Sequence, residues 1–399
     1  MKIRRLLPLM MTFSLFFCAC TPTETAVTPS PTAAPTEAPT ATPEPALWEI
    51  FREFSAPDEN AAITALAPED GGTFTSFSKT IASWLAKPYT LGSGKESYNS
   101  GYTVRSLTFS WQDEKPRDHY EITVLPKEQP EEVRTLSVKE ASCKFPVTPF
   151  SGSVYYWQVA AYDTADGSPV CSPVFTFTTA PGPRLITNIG GVNNARDAGG
   201  AYTADKSQRI RQGLIYRTAY LDSITASGKK TGTEVYGIKT ELDLRRPADS
   251  KTVGKGSQFG KTVTYINIPG RHYLSGDENY HLKNNWAILG QELKVFAKKE
   301  NYPICFHCSG GRDRTGTVAF LVNGLCSVPA EDLFFDFELT FLNTPDDAPT
   351  YIAGIQDLYD FMNTFDGETL KDKIETFCIA AGVTHEEIAA IREILLEDV

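Results

Sequence analysis

The residues with the clearest chemistry lie in "YPICFHCSGGRDRTGTVAFLV", residues 302–322 of this 399-residue chain. The apolar run "YPICF" reads as a buried strand and "TGTVAFLV" as the start of a helix, which leaves "HCSGGRDR" as the loop between them. Gly310 and Gly311 admit backbone angles that other residues resist, so successive N–H groups can turn inward. The N-terminus of the following helix points at the same place, and the two together make an anion cradle. Cys308 on its floor, beside Arg314, is expected as a thiolate at neutral pH, its pKa drawn from about 8.5 into a range of roughly 3.5 to 7.5. The expectation is a nucleophile inside a cup shaped for phosphate.

Cysteine and arginine six positions apart are weak evidence alone, but His307-Cys308, Gly311 and Arg314-Thr315-Gly316 between a strand and a helix form a specific string. It resembles the cysteine-dependent protein tyrosine phosphatase superfamily, with its HC-x(5)-R-[ST] signature. The variant "HCSGGRDRTG" is most similar to the bacterial tyrosine phosphatase-like family, whose loop reads Cys, three residues, a basic residue, Asp, Arg. Upstream, "NNARDAGG" (residues 193–200), "RQGLIYRTAYL" (211–221) and "GIKTELDLRRPAD" (237–249) resemble that family's N-x-RD-x-GG, R-x-G-x-x-YRS and DLR-x-x-x-E blocks, in order. Arg312 stands where the family often has Lys. Asp249 stands where it usually has Glu, and is expected to make a structural ion pair.

The resemblance implies phosphate monoester hydrolysis, and each role follows from that reaction. Cys308 attacks phosphorus in line and forms a thiophosphate. Arg314 holds two phosphoryl oxygens in a bidentate fork that Lys would not reproduce. Residues Ser309, Gly310, Gly311 and Arg312 supply backbone donors, and Thr315 donates to the sulfur and helps it leave. In the family the residue before the cysteine points away from the cup, so His307 is expected to orient the loop from behind. The general acid has two candidates: Asp313 within the loop, as in the family, and Asp243 at the end of "ELDL", whose alternative is an ion pair with Arg245 or Arg217. Arg196 and Asp197 are expected to brace the turn "RDAGG". No cofactor is needed, and no metal, because Cys305 and Cys308 lack a second ligand pair.

These residues sit in the second of two expected folded units, so the fold class is multidomain: an N-terminal all-β sandwich followed by an α/β cysteine-phosphatase domain. Over residues 184–399, strand-like "GLIYRT", "IKTELDLR" and "VTYINIP" alternate with helical "QELKVFAKK" and "GTVAFLVNGLC", the α/β pattern. Over residues 47–180, "SLTFSWQD", "HYEITVLP", "EEVRTLSV", "VYYWQVAAYD" and "PVFTFTT" alternate at period two between turn residues. Their order resembles a fibronectin type III or related immunoglobulin-like module, expected to act as a spacer or a protein or glycan contact. "SFSKTIASWLAKP" reads as a short inserted helix. Residues 21–46, nearly all Thr, Pro, Ala and Glu, form a polyproline-like tether. Residues 1–20 read as a secretory signal: Lys2, Arg4 and Arg5, a short apolar run, and "FCAC" similar to a bacterial lipobox, with Cys20 lipidated.

The net charge of −11 excludes broad nucleic-acid binding while leaving room for a local basic pocket. Cys143 and Cys171 are candidates for a disulfide in an oxidising exterior, and the sequence leaves their separation open. The leading reading is therefore an exported, lipid-anchored phosphatase, at the bacterial cell surface, acting on phosphotyrosine with possible dual specificity. Its alternative is a phosphoinositide or inositol-phosphate phosphatase, which Arg312 keeps open, and a non-catalytic phospholigand binder stands behind both.

Overall fold

A computed structural model of the chain describes residues 45–59, 61–95, 103–274, 283–344 and 348–399. The expected export signal with Cys20, and most of the Thr/Pro-rich tract, lie outside the described residues.

The period-two runs of the first half become strands, because alternation gives each one apolar face to bury. A three-stranded antiparallel sheet joins β1 (Ile63–Ala67), β3 (Thr108–Asp113) and β6 (Ser142–Lys144). A second sheet runs in the order β2 (Gly72–Phe74), β9 (Phe175–Thr179), β7 (Val154–Tyr162), β4 (His119–Pro126), β5 (Arg134–Val138), with β8 (Val170–Cys171) on β7. Phe109 of β3 meets Trp157 of β7 at 5.0 Å between ring centroids, and Trp111 meets Tyr120 of β4 edge-on at 5.1 Å. The inward faces of both sheets thus share one core. Cys143 lies in the first sheet and Cys171 in the second, and both are buried free thiols. The helix read in "SFSKTIASWLAKP" is α1 (Lys79–Leu85).

The second half is built on a five-stranded sheet in the order β10 (Arg196–Asp197), β12 (Ile215–Thr218), β15 (Ile304–His307), β13 (Thr240–Asp243), β14 (Thr264–Asn267). β12 and β13 flank β15 in parallel, with Thr218 and Asp243 in register with His307. A two-stranded ribbon of β11 (Gln208–Ile210) and β16 (Leu396–Asp398) ties down the C-terminus. The longer helices are α2 (Lys283–Lys294), α3 (Asp313–Leu325), α4 (Ala330–Glu338), α5 (Ala348–Met362), α6 (Leu370–Ala380) and α7 (His385–Leu395). All thirteen residues of α3 are buried, as expected of a helix that is apolar around most of its girth. α7 starts at the expected box, with Thr384 and Glu387 capping each other's backbone.

The cores do not stop at the boundary between the halves. Phe77, Ile81 and Trp84 of the first half lie in one core with Phe306, Phe320 and Phe334 of the second. Tyr155 and Trp157 lie in another with Tyr216, Tyr236 and Cys305. β15 separates them, since Ile304 and Phe306 face the first core and Cys305 the second. Arg184 bridges the halves: it donates to the Thr148 carbonyl at 2.9 Å, pairs with Asp197 at 2.8 Å and lies over the Phe150 ring.

Candidate active site

Parallel strands direct their carboxyl ends to one rim, where ligands of open α/β sheets bind. The loop from Cys308 to Arg312 leaves β15 at that rim and enters α3 directly. Gly311 has φ +65°, and a β-carbon there would stand 2.3 Å from the Thr218 carbonyl oxygen, so the position admits glycine alone. Gly310 does not share this conformation, contrary to the expectation that both glycines bend the loop. The loop carbonyls are held from outside. Ser309 O accepts from Tyr220 N at 3.0 Å, Gly310 O from Asn194 Nδ2 at 3.1 Å, and Gly311 O from Asn194 Nδ2 at 3.2 Å and Arg217 Nη2 at 2.9 Å. Peptide planes fixed this way present their N–H groups to the inner side.

Cys308 is almost fully buried. Burial opposes the thiolate, yet the Arg314 charge, the Thr315 hydroxyl and N–H, and the Arg312 N–H together bring the Cys308 pKa below its ordinary value. The Thr315 hydroxyl has no oxygen or nitrogen partner and is left to the sulfur. Arg314 is anchored by Asp249 at 2.5 Å and by the Leu244 carbonyl at 3.2 Å, with Nη2 3.3 Å from Ser309 Oγ. Partial burial would raise the Asp249 carboxyl; hydrogen bonds from Arg314 and from the Arg246 backbone outweigh it and hold it low. Asp249 thus makes the ion pair expected of it, with Arg314 as partner.

His307 lies behind the loop. It donates from Nε2 to Glu241 at 3.1 Å and from Nδ1 to the Cys308 carbonyl at 3.3 Å. Burial opposes its charge, but the Glu241 hydrogen bond and the Asp243 and Glu241 charges raise its pKa. Both ring nitrogens face oxygen acceptors, an arrangement that favours the protonated ring.

Asp243 is not available as the acid. Its oxygens accept from Arg245 Nε, Nη2 and backbone N at 2.9, 2.9 and 3.0 Å and from the Tyr265 hydroxyl at 3.0 Å. Burial would raise its pKa, but the Arg245 hydrogen bonds and the His307 charge lower it, and both oxygens are already committed to these donors. Its ion-pair partner is Arg245; Arg217 pairs instead with Asp336 of α4. Glu241, Asp243 and His307 also lie close enough together to hold a metal ion. The Arg245 guanidinium already occupies both Asp243 oxygens, however, and Ser257 Oγ and Gln258 N take Glu241 Oε2 at 2.7 and 2.6 Å, so the donor set fits a hydrogen-bonded ion cluster better than a cation.

Asp313 opens α3. Its Oδ1 accepts from Leu274 N at 3.0 Å, and Oδ2 stands 3.9 Å from His272 Nδ1. His272 in turn accepts from Arg246 Nη2 at 2.9 Å. Arg312 lies over the Tyr351 ring, 4.0 Å from its centroid, and donates to Thr344 Oγ1 at 3.1 Å. Arg196 and Asp197 brace as expected: Arg196 reaches Asp336 and Asn194, and Asp197 accepts from Gly199 N and Gly213 N.

Asp336 and Glu292 are among the acids that no motif announces. Asp336 holds Arg196 at 2.8 Å and also pairs with Arg217; its only signal was a carboxylate inside the apolar run "LFFDFELTF". Glu292 of α2 is wholly buried, with the Tyr273 hydroxyl 3.4 Å from each of its oxygens. A β-carbon on Gly270 would meet Glu292 Oε1 at 2.5 Å and Arg314 Cδ at 3.3 Å, so Gly270 leaves room for this acid near the stem of Arg314. Burial raises its pKa well above the ordinary value and the Cys308 charge adds to that; Tyr273 and Arg314 oppose it without prevailing.

A buried thiol whose pKa is lowered despite burial, in a loop braced through its carbonyls and followed six residues on by a carboxylate-anchored arginine, defines a cysteine-dependent phosphatase. Residues 187–397, more than half of the chain, match the family model described as the tyrosine phosphatase family, and the chain belongs to that family. Among solved structures it is similar to the core catalytic domain of the PP-IP phosphatase SIW14 from S. cerevisiae in complex with citrate, at 17% identity over 39% of this chain and 90% of that one, TM-score 0.27. It is also similar to a Siw14 catalytic core, at 15% identity over 37% and 89%, TM-score 0.26. No curated protein matches the chain.

Proposed function

We propose that this phosphatase is exported, lipid-anchored through Cys20, and hydrolyses phosphotyrosine, with phosphoserine and phosphothreonine as slower substrates. The observation that carries the chemistry is a Cys308 thiol lowered in pKa despite burial, beside an arginine already aimed by Asp249. Cys308 sulfur attacks phosphorus while the ester P–O bond breaks, and Asp313 gives its proton to the leaving oxygen. Water then attacks the thiophosphate, Asp313 takes back a proton, and the S–P bond breaks to release phosphate. Arg314 and the loop N–H groups hold the phosphoryl oxygens throughout.

A second reading, a phosphoinositide or inositol-phosphate substrate, is favoured by the cations around the cup. Arg246 lies against Asp249, the carboxylate that anchors Arg314, and Arg312 is the N-cap residue of α3. A ring bearing several phosphates would use this charge; a phosphotyrosine would use less of it. Residues 184–399 would be the catalytic domain and 47–180 a fibronectin III or immunoglobulin-like sandwich that contacts protein or glycan. The shared core of its two sheets supports that assignment.

The test is phosphate release by the full chain, with reductant and chelator, from a phosphotyrosine peptide, a phosphoserine peptide and a phosphoinositide, beside Cys308→Ser. Faster release from the phosphoinositide selects the second reading, and no release from any of the three removes both. Incorporation of labelled fatty acid, lost in Cys20→Ala, tests the anchor.

A further inference from the structure

The β-rich half reaches α4 by a strap, residues 84–94, that begins in the last turn of α1. Glu338, the last residue of α4, is wholly buried, and its carboxylate accepts from the Tyr89 hydroxyl, from Gly92 N at 3.0 Å and from Gly94 N at 3.0 Å. A carboxylate at a helix C-terminus opposes the helix dipole, so donors brought to it from the strap stabilise it there. One turn earlier, Phe335 packs against Trp84 and Tyr89, with ring centroids 5.0 and 5.7 Å away. The strap therefore grips α4 at two levels.

Between those two grips lies Asp336. Its carboxylate pairs with Arg196 and Arg217, and its carbonyl accepts from Arg196 Nη2 at 2.7 Å. Arg217 continues to the Gly311 carbonyl, and Arg196 to Asn194 Oδ1 at 2.6 Å, from which Asn194 reaches the Gly310 and Gly311 carbonyls. Each link from Tyr89 to the phosphate cup is a direct contact. A cavity of about 330 Å³ walled by Trp84, Tyr89, Pro181, Phe335 and Asp336 lies along the same path, so strap and acid share one surface.

We propose that the strap, residues 84–94, with Glu338 as its anchor, is a positioning element of the active site: by fixing α4 it sets Asp336, and through Arg196, Arg217 and Asn194 it sets the peptide planes of Gly310 and Gly311. The β-rich half is then part of the catalytic scaffold in addition to any spacing or contact role. The proposal rests on the Cys308 loop being the phosphate cup, which Cys308→Ser tests on its own.

The experiment uses the full chain and four readouts: thermal midpoint, kcat and KM with p-nitrophenyl phosphate, Ki of inorganic phosphate, and the pH midpoint of Cys308 alkylation by iodoacetamide. Glu338→Gln keeps the shape but removes the charge, and Tyr89→Phe keeps the ring but removes the donor. Val159→Ala, in the sheet core away from α4, is the control for stability alone. Glu338→Gln is expected to weaken phosphate by about tenfold, to lower kcat/KM by roughly 10- to 100-fold, and to move alkylation to higher pH. Tyr89→Phe is expected to act in the same direction by about threefold. Val159→Ala should lower the thermal midpoint and leave phosphate affinity and alkylation unchanged. If Glu338→Gln and Tyr89→Phe behave like Val159→Ala, the strap is packing only and the proposal falls. Should Glu338→Gln not fold, Tyr89→Phe decides by the same criterion. Hydrolysis surviving in Cys308→Ser would instead overturn the reading of the site, leaving the phosphate-affinity comparison to judge the strap.

Discussion

Cys305 and Cys308 are three residues apart and both buried, yet their thiols move in opposite directions. Cys305 sits within β15 against the core shared with the β-rich half, where burial, with the Glu241 charge adding to it, pushes its thiol far up. Cys308 has left the strand and meets Arg314, Thr315 and loop N–H groups, which reverse the effect of burial. Burial likewise raises Cys143 to about 11 and Cys326 to about 12. Depth therefore does not make a thiol inert; the absence of compensating charge and donors does. The same contrast argues against dithiol exchange between Cys305 and Cys308, because the two sulfurs belong to opposite faces of the sheet.

Replacing each sulfur in turn separates the two cysteines most directly. Cys308→Ser should lower phosphate release by at least about 10³-fold, while Cys305→Ala should keep kcat within about threefold and lose roughly 1 kcal/mol of stability. Comparable losses of turnover in both would show that the strand cysteine takes part. Arg314→Lys comes next, with an expected fall in kcat of about 10²- to 10³-fold, since an ammonium cannot make the fork. It should also raise the pH midpoint of Cys308 alkylation; an unchanged midpoint would mean that the loop donors alone hold the thiolate.

Asp313→Asn should cost about 10²-fold with an alkyl phosphate and much less with p-nitrophenyl phosphate, whose leaving group needs little protonation. Asp243→Asn should show no such dependence on the leaving group and should register in thermal stability. A reversal would restore Asp243 as the acid.

The smallest effect concerns Glu292. Because its pKa is raised in the folded state, the unfolded chain ionises first as pH climbs past about 4.3, and stability falls with rising pH from there toward the folded pKa. Glu292→Gln removes that loss, so its advantage in thermal midpoint over wild type should be larger at pH 8 than at pH 5. A difference that does not vary with pH would mean the carboxyl ionises alike in both states.

Much of the site was legible because its parts are local. His307 to Thr315 are contiguous, and Gly311 announces the one backbone angle the turn requires. The strands of both halves were legible from alternation, and the last helix from its capping box. Asp243 was ambiguous because a carboxylate at a strand end reads the same as an acid or as an ion-pair partner; only the position of the Arg245 fork decides.

Local spacing was enough to place Cys308, Gly311 and Arg314 together on one strand–loop–helix unit and to give the order of elements that carries them. Tertiary structure decided which carboxylates keep a charge and which residues aim the loop. Arg314 meets Asp249 across 65 positions, Arg217 meets Asp336 across 119, and Tyr89 meets Glu338 across 249. No local pattern encodes such pairs. They form because a buried ion or peptide group must find a partner, and the packed core determines which one is in reach.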